Sequence, residues 1–192
     1  MVDAGVARQR VAHFVAVAGH DVDGARLTPA DAPANRDLML EAYARHPEAF
    51  TSSPSEYANA PMTRWVDRLP PGDNPHSLVL GAFDDAGRLV GVAGLSVEDK
   101  IKARHKGTLF GMYVVPAARA HGLGEQLVQG VLAAARARPG LRMVKLTVTK
   151  GNDAAQALYA RCGFSVFGEE PMAVQVDGRF YAKVHMWCDL RA

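Results

Sequence analysis

Residues 107–138 constrain the fold more than any other part of this sequence, because they join a strand, a glycine-containing loop and a helix. Residues 108–115 are rich in aromatic and β-branched side chains, which predicts a strand that Pro116 ends. Apolar residues then recur at helical spacing until Pro139 and Gly140 stop the helix. The first N–H groups of a helix have no partner and lie at the positive end of its dipole. This arrangement therefore predicts a binding site for phosphate.

The residues of the loop narrow the choice of phosphate ligand. The third glycine of a Rossmann fingerprint and the Gly-Lys-Ser/Thr of a P-loop are both absent from it. The loop reads Arg-x-x-Gly-x-Gly, with Arg119, Gly122 and Gly124 at the fixed positions. This pattern resembles the acetyl-coenzyme A site of the GNAT (Gcn5-related) N-acetyltransferases. Taken alone, it is also compatible with a glycine turn that merely joins a strand to a helix.

Residues 141–164 supply a second, independent resemblance to the same family. Residues 141–148 alternate as a strand, and Asn152-Asp153 begins a helix for which Asp153 and Gln156 predict a capping box. Gly163 is expected to stop the helix and Phe164 to start the next strand. The pattern Asn-x-x-Ala-x-x-Leu-Tyr-x-x-x-Gly-Phe is similar to the second conserved block of the family, in the right order and at the right distance from the first. The resemblance covers roughly residues 25–190. One face of this helix is predicted to carry Ala155, Leu158, Tyr159 and Cys162.

The order of predicted elements is typical of an α+β domain: a strand, two helices, three strands, a helix, a strand, a helix and two strands. The resemblance implies the GNAT fold, a mixed, mostly antiparallel sheet with helices on both faces. At its centre two parallel strands splay apart, and the thioester of acetyl-coenzyme A is expected in that gap. We expect residues 25–192 to form a single acetyltransferase domain. Residues 1–24 are expected to be an N-terminal extension, either frayed or an extra strand, rather than a signal peptide.

Composition excludes several classes of protein. A formal charge of +2 over 192 residues is too small to predict a nucleic-acid-binding face. No segment reaches the roughly 18 to 20 apolar residues that a membrane span needs. Two cysteines, Cys162 and Cys188, give neither a disulfide framework nor the spacing of a metal site. We therefore expect a cytoplasmic protein without a metal, with a homodimer as an open alternative to a monomer.

The resemblance implies which residues bind acetyl-coenzyme A as co-substrate. Backbone groups of Met112, Tyr113 and Val114 would pair with the pantetheine arm as another strand does, and one N–H there would face the thioester oxygen. Arg119 either adds positive charge to the pyrophosphate site or only ties down the loop. Asn152 is expected to contact the cofactor arm, to cap its helix, or both. The loop residues assigned to the cofactor are Arg119, Ala120, His121, Gly122, Leu123 and Gly124.

Tyr159 is the predicted catalytic residue, because it matches the position at which the family places a general acid for the departing thiolate. The alternative is a core tyrosine whose hydroxyl is satisfied by the protein.

The general base is not evident from the sequence. Where some family members place a glutamate, this chain has Thr108 in one strand and Thr147 in the next. The general base could be one of three residues or an ordered chain of water molecules, and these alternatives are left open. The three residues are Glu98, His105 and Glu56.

The acceptor is the least certain part of the predicted site. Residues 46–57 resemble the Pro-Glu-Ala-Phe-x-Ser-Ser stretch that walls the acceptor site in some GNAT proteins, although a surface loop is an equal alternative. On that resemblance, Phe50, Glu56 and Tyr57 are predicted to bind the substrate.

The sequence therefore predicts transfer of an acetyl group from acetyl-coenzyme A to a primary amine by direct attack. A small-molecule amine is slightly favoured over a protein N-terminus or lysine. The main alternative is a non-catalytic sensor or scaffold that binds coenzyme A, and a nucleotide-binding module is a third.

Overall fold

The computed structural model describes residues 10–17, 20–72, 74–119 and 122–191, with side chains from residue 24 onward. Eight strands and five α-helices are found in this part of the chain. The strands are β1 (Arg10–Val17), β2 (His20–Arg26), β3 (Ser77–Phe83), β4 (Leu89–Val97), β5 (Lys106–Val114), β6 (Met143–Thr149), β7 (Ser165–Val176) and β8 (Arg179–Asp189). The helices are α1 (Ala32–Arg45), α2 (Pro54–Tyr57), α3 (Met62–Val66), α4 (Leu123–Arg136) and α5 (Asp153–Arg161).

The described strands form one sheet in the order β1-β2-β3-β4-β5-β6-β8-β7. Every neighbouring pair is antiparallel except β5 and β6, which are parallel. The predicted α+β fold with a mixed, mostly antiparallel sheet is therefore confirmed.

Helices cover both faces of the sheet because alternate residues of each central strand point to opposite sides. In β3, Leu78 and Leu80 belong to a core with α4 and α5, whereas Val79 and Phe83 belong to a second core with α1 and α3. The amphipathic helix α4 buries its apolar side in the first core. Trp65 anchors the second, and its side chain is completely buried.

Several boundaries differ from the sequence prediction. Residues 25–28 were predicted to be a short first strand. This strand, β2, instead begins at His20 and pairs with both β1 and β3, so part of residues 1–24 extends the sheet. The division at residue 24 itself stays a prediction. Residues 46–57 were expected to be a loop, but they contain α2, because Ser53 and Glu56 form a capping box that stabilises one helical turn. The predicted strand start at Phe164 moves to Ser165.

The start of α5 also needs a correction. A capping box between Asp153 and Gln156 was expected, but the cap is one residue earlier. The side chain of Asn152 accepts a hydrogen bond from the Ala155 N–H at 3.2 Å. This satisfies one of the unpaired amides of the first turn.

Candidate active site

Strands β5 and β6 diverge soon after they begin. They pair only at Lys106–Thr108 with Met143–Lys145, although β5 continues to Val114 and β6 to Thr149. Beyond Thr108, no described strand pairs with the edge of β5 that faces β6. Peptide groups on such an edge can pair with an extended ligand as they would with another strand. The predicted splayed pair is thus present at the centre of the sheet.

A β-bulge reshapes β5 at this gap. Val92 pairs with Tyr113, but the next pair is Gly94 with Phe110, so Gly111 and Met112 together oppose one residue of β4. Gly111 has a φ of +61°, which a residue with a Cβ adopts only with strain. Bulges of this kind re-aim the groups beside them and recur next to active sites. This bulge was not predicted, although a glycine inside a strand is a signal for one.

The side chains around the bulge pack into the two hydrophobic cores. The Tyr113 ring is buried on the α1 side, where its hydroxyl donates to Glu41 Oε1 at 3.0 Å. Burial, followed by the Glu41 carboxylate, raises the pKa of Tyr113. Val114 is buried on the α4 side, and Met112 packs against the same core. It is therefore the backbone of these three residues, and not their side chains, that is available to a ligand in the gap.

The loop after β5 leads to the N-terminus of α4. Gly122 precedes α4 with a φ of +74°, a left-handed conformation that suits glycine. Arg119 donates from Nε to the Val114 carbonyl at 2.9 Å, and its Nη2 lies 3.1 Å from His46 Nε2. The arginine therefore ties the loop to the end of β5, as one of the two sequence interpretations proposed. Ala120 and His121 lie outside the described residues.

Gly124 lies in the first turn of α4, where the helix packs closely against α5 and β5. A Cβ at this position would lie 2.9 Å from Leu158 Cδ1 and 3.3 Å from Met112 Cε. Both atoms are the ends of flexible side chains, so these side chains would shift to accommodate a substitution at position 124.

Tyr159 projects from α5 into the first core, where 7% of its surface is exposed. Its ring packs edge-on against Phe164, with centroids 6.0 Å apart. Burial, with a smaller contribution from Cys162, raises the pKa of Tyr159 to about 12. No described residue forms a hydrogen bond with its hydroxyl, and the choice between a catalytic and a core tyrosine stays a prediction.

A cavity of about 390 Å³ lies between α1, the loop at residues 50–52 and strands β3 to β5. Gly111 lines it, so the cavity reaches the bulge beside the gap. This volume is within the range of small-molecule sites. Its walls include Met39, Phe50, Val79, Val92, Phe110 and Arg68.

The three predicted substrate-binding residues lie in different places. Phe50 lines the cavity. Tyr57 contacts Arg68, and its hydroxyl accepts a hydrogen bond from Arg68 Nη2 at 3.0 Å. Glu56 is turned away, because its carboxylate accepts 2.8 Å hydrogen bonds from the backbone N–H and the hydroxyl of Ser53. The Ser53 backbone hydrogen bond, followed by that of the Ser53 hydroxyl, lowers the pKa of Glu56, which weakens it as a base.

Lys183 fastens the wall of the cavity to the sheet. It is 4% exposed, and its Nζ donates to the carbonyls of Glu48 and Ala49 at 3.0 and 2.7 Å and to Thr149 Oγ1 at 2.9 Å. Burial lowers the pKa of Lys183. The loop that precedes Phe50 is thereby held against the end of β6.

The remaining candidates for a general base are dispersed. Glu98 forms an ion pair with Lys145 at 3.5 Å, and the carbonyl of His105 accepts a hydrogen bond from the Arg142 N–H. Thr147 pairs across the sheet with His185, whose Nε2 is 3.0 Å from Glu170 Oε2. His185 could not be predicted from a local motif, because only the pairing of β6 with β8 brings it beside Thr147.

Residues 10–17, 20–72, 74–119 and 122–191 contain neither a metal-type cluster of side chains nor a membrane-spanning helix. No group of three or more His, Cys, Asp or Glu residues there is arranged to hold a metal ion. No helix in the same ranges is long and apolar enough to cross a membrane.

Comparison with known proteins agrees with this architecture. The model of the acetyltransferase (GNAT) family matches residues 37–164. The L-methionine sulfoximine/L-methionine sulfone acetyltransferase of Pseudomonas paraeruginosa is 29% identical over 161 residues, which are 84% of this chain and 86% of that protein.

Solved structures share the fold at low sequence identity. A GNAT-family acetyltransferase from Streptococcus pneumoniae has a TM-score of 0.75 and 21% identity, covering 88% of this chain and 99% of its own. A phosphinothricin acetyltransferase from Sinorhizobium meliloti, solved in complex with AcCoA, has a TM-score of 0.71 and 19% identity, covering 88% of each chain. At such identities the likeness establishes the fold.

Proposed function

Because the chain belongs to the GNAT family of acetyltransferases, we propose that it transfers the acetyl group of acetyl-coenzyme A to the primary amine of a small molecule. The observation that carries this proposal is the gap between β5 and β6, with the loop before α4 at one end and the cavity beside Gly111. An amine in the cavity would approach an acyl group held in the gap.

The residues present fit acetyl-coenzyme A, which supplies the activated acyl group. The unpaired edge of β5 at Met112, Tyr113 and Val114 offers backbone groups to an extended arm. Arg119 and Gly122 lie before α4, and Leu123 and Gly124 lie in its first turn, where the N-terminus of the helix favours a diphosphate. Asn152 caps α5 and is proposed to contact the arm as well. Ala120 and His121 are proposed to add backbone contacts.

Tyr159 is proposed to hold the proton that the departing thiolate receives. A phenol with a pKa of about 12 stays protonated at neutral pH, and its hydroxyl is not engaged by any described residue. The amine releases a proton when it attacks, and a base on the acceptor side takes up this proton. The identity of that base is not assigned.

The small-molecule acceptor is supported by the size of the cavity and by the relatives. The Pseudomonas protein is named for L-methionine sulfoximine and L-methionine sulfone, and the Sinorhizobium protein for phosphinothricin. We further propose a cytoplasmic protein, since Cys162 and Cys188 are both free and buried. We also propose that it binds neither nucleic acid nor membrane. A homodimer stays a prediction for sedimentation analysis.

Release of free thiol from acetyl-coenzyme A tests this function. The acceptors would be L-methionine sulfone, L-methionine sulfoximine, phosphinothricin and a lysine-containing peptide. We expect rapid thiol release with at least one of the small molecules and little with the peptide. Tight binding of coenzyme A without thiol release for any amine would instead favour the sensor or scaffold.

A further inference from the structure

Arg68 places a positive charge on the wall of the 390 Å³ cavity, and no described carboxylate neutralises it. The residue lies just after α3 and is partly buried. Within the described ranges, no carboxylate oxygen lies within 4.0 Å of its guanidinium. Other arginines of the same chain do have such partners, for example Arg45 with Glu41 at 2.8 Å and Arg88 with Asp84 at 2.7 Å.

The partners of Arg68 are neutral and fix its orientation. Nη1 donates to Tyr43 Oη at 3.4 Å and Nη2 to Tyr57 Oη at 3.0 Å. The guanidinium also lies 4.8 Å from the ring centroid of Tyr57 and 5.3 Å from that of Trp65. Stacking on aromatic rings and hydrogen bonds to hydroxyls hold the planar fork in place but leave its charge uncompensated.

The surroundings of Arg68 strengthen its preference for an anion. Much of the rest of the cavity wall is apolar, including Met39, Phe50 and Phe110. A charge beside apolar walls is poorly solvated, so an anionic ligand there gains more than it would in open water. Carboxylates match the guanidinium fork in geometry as well as in charge.

The position of Arg68 in the cavity suggests how an acceptor would be oriented. Gly111, at the bulge beside the gap, lines the same cavity as Arg68. An acceptor with its anion on Arg68 could therefore direct an amine toward the gap. Such an acceptor carries both groups on one small molecule.

We propose that the acceptor is an amino-acid-like molecule and that Arg68 binds its carboxylate. This inference rests on the proposed acetyl transfer and specifies its substrate class. It assigns to Arg68 a selectivity for the charge of the acceptor, and it predicts that neutral amines and amides are poor substrates.

Acid and amide pairs test the proposal in the unaltered enzyme. L-Methionine sulfone would be compared with its carboxamide, and other L-amino acids with their amides, by the kcat/KM for thiol release. We expect each acetylated acid to exceed its amide by about 10- to 100-fold, the value of a charged hydrogen-bonded pair. Equal rates for acids and amides would overturn the role of Arg68 and leave acetyl transfer intact.

Substitution of Arg68 can be compared with substitution of a similar arginine that does not line the cavity. Arg68→Gln should lower kcat/KM for the acids about 10- to 100-fold, abolish the preference over amides and leave the affinity for acetyl-coenzyme A unchanged. Arg64→Gln is the control, since Arg64 also donates to Tyr57 Oη and stacks on its ring but is exposed and does not line the cavity. Urea unfolding would verify that both variants fold. Arg68→Lys, which keeps the charge without the fork, would replace Arg68→Gln if that variant unfolds.

Calorimetry separates failure of this inference from failure of the proposed function. If no amine releases thiol, binding of L-methionine sulfone and of its amide would be titrated directly. Binding of the acid alone, lost in Arg68→Gln, would support the anion site although catalysis had failed. Binding of neither compound, or of both equally, would overturn it.

Discussion

Tyr159 is 7% exposed, and its hydroxyl forms no hydrogen bond with a described residue, yet it is not one of the fully buried polar atoms that lack a partner. The hydroxyl is therefore free to donate to a ligand. Transfer of its proton to a leaving group is the role that we propose for it.

Replacement of Tyr159 by phenylalanine tests this role. Tyr159→Phe should lower turnover at least about 100-fold, because a positioned general acid contributes that much, while the affinity for acetyl-coenzyme A stays the same. Turnover would be followed by thiol release and affinity by calorimetry. Unaltered turnover would return Tyr159 to a purely structural role in the core.

The raised pKa of Tyr159 also predicts how the stability of the fold depends on pH. Its folded pKa of about 12 exceeds the ordinary value of 10.0, so above pH 10 the unfolded chain loses this proton before the folded chain does. The stabilisation is complete below pH 10 and falls as the pH rises toward 12. Relative to Tyr159→Phe, the wild-type protein should lose about 2–3 kcal/mol of unfolding free energy over this window. Urea titrations at several pH values would measure the difference, and a pH-independent difference would contradict the shift.

At the scale of elements, two features shape the two sides of the site. One is the bulge in β5. The other, which we call the clamp, is the set of hydrogen bonds from Lys183 Nζ to the carbonyls of Glu48 and Ala49. Neither was predicted from the sequence, and the reasons differ. A bulge changes register by a single residue, which the alternation of side chains in a short strand does not resolve. The clamp joins residues 134 and 135 positions apart, and no local pattern signals such a contact.

The bulge can be tested by Gly111→Ala, with Gly87→Ala as a matched control. Both glycines have a positive φ, +61° and +73°, and a Cβ would meet no atom within 4 Å at either position. Each substitution should therefore cost about 1–2 kcal/mol of stability from backbone strain alone. Only Gly111→Ala should also lower turnover, about 10-fold or more, because it shifts the backbone beside the gap. The bulge would have no catalytic role if both variants kept the same turnover.

The clamp can be tested by Lys183→Met. Loss of the ammonium leaves the carbonyl of Ala49 without this donor, so the free energy of unfolding should fall by about 1–3 kcal/mol. The KM for the acceptor should rise because the loop before Phe50 loosens, whereas the affinity for acetyl-coenzyme A should not change. Lys150→Met is the control, since Lys150 is exposed and its ion pair with Glu169 should contribute at most about 1 kcal/mol. Equal effects of the two substitutions would contradict the clamp.

At the scale of the whole molecule, the sequence predicted the mixed sheet, the family and the order of the elements apart from β1 and α2. These follow from periodicity and from two motifs that are local in the chain, such as the helical spacing of Leu127, Val131 and Ala135. The cavity lined by Phe50 and Arg68 could not be predicted in the same way. Arg68 reaches it through Tyr43 and Tyr57, which lie 25 and 11 positions away, and their meeting depends on how α1 and α3 pack.

Acetyl-coenzyme A should stabilise the whole fold, because a ligand in the gap would link the edges of β5 and β6. At 100 times its dissociation constant it should add about 2.7 kcal/mol to the free energy of unfolding. For a chain of this length that corresponds to a rise in Tm of about 5–10 °C. ATP and NAD at the same concentration serve as controls in a thermal unfolding assay. Equal protection by ATP or NAD would instead favour a nucleotide-binding module.

The division of the β5 side chains between two cores has a consequence for how this enzyme could change its substrate. Tyr113 faces the layer of α1 and α3, whereas Val114 faces the layer of α4 and α5, so each layer can vary without rebuilding the other. Laboratory evolution that randomises only Met39, Phe50 and Arg68 should therefore retarget the acceptor while the same acyl donor continues to be used.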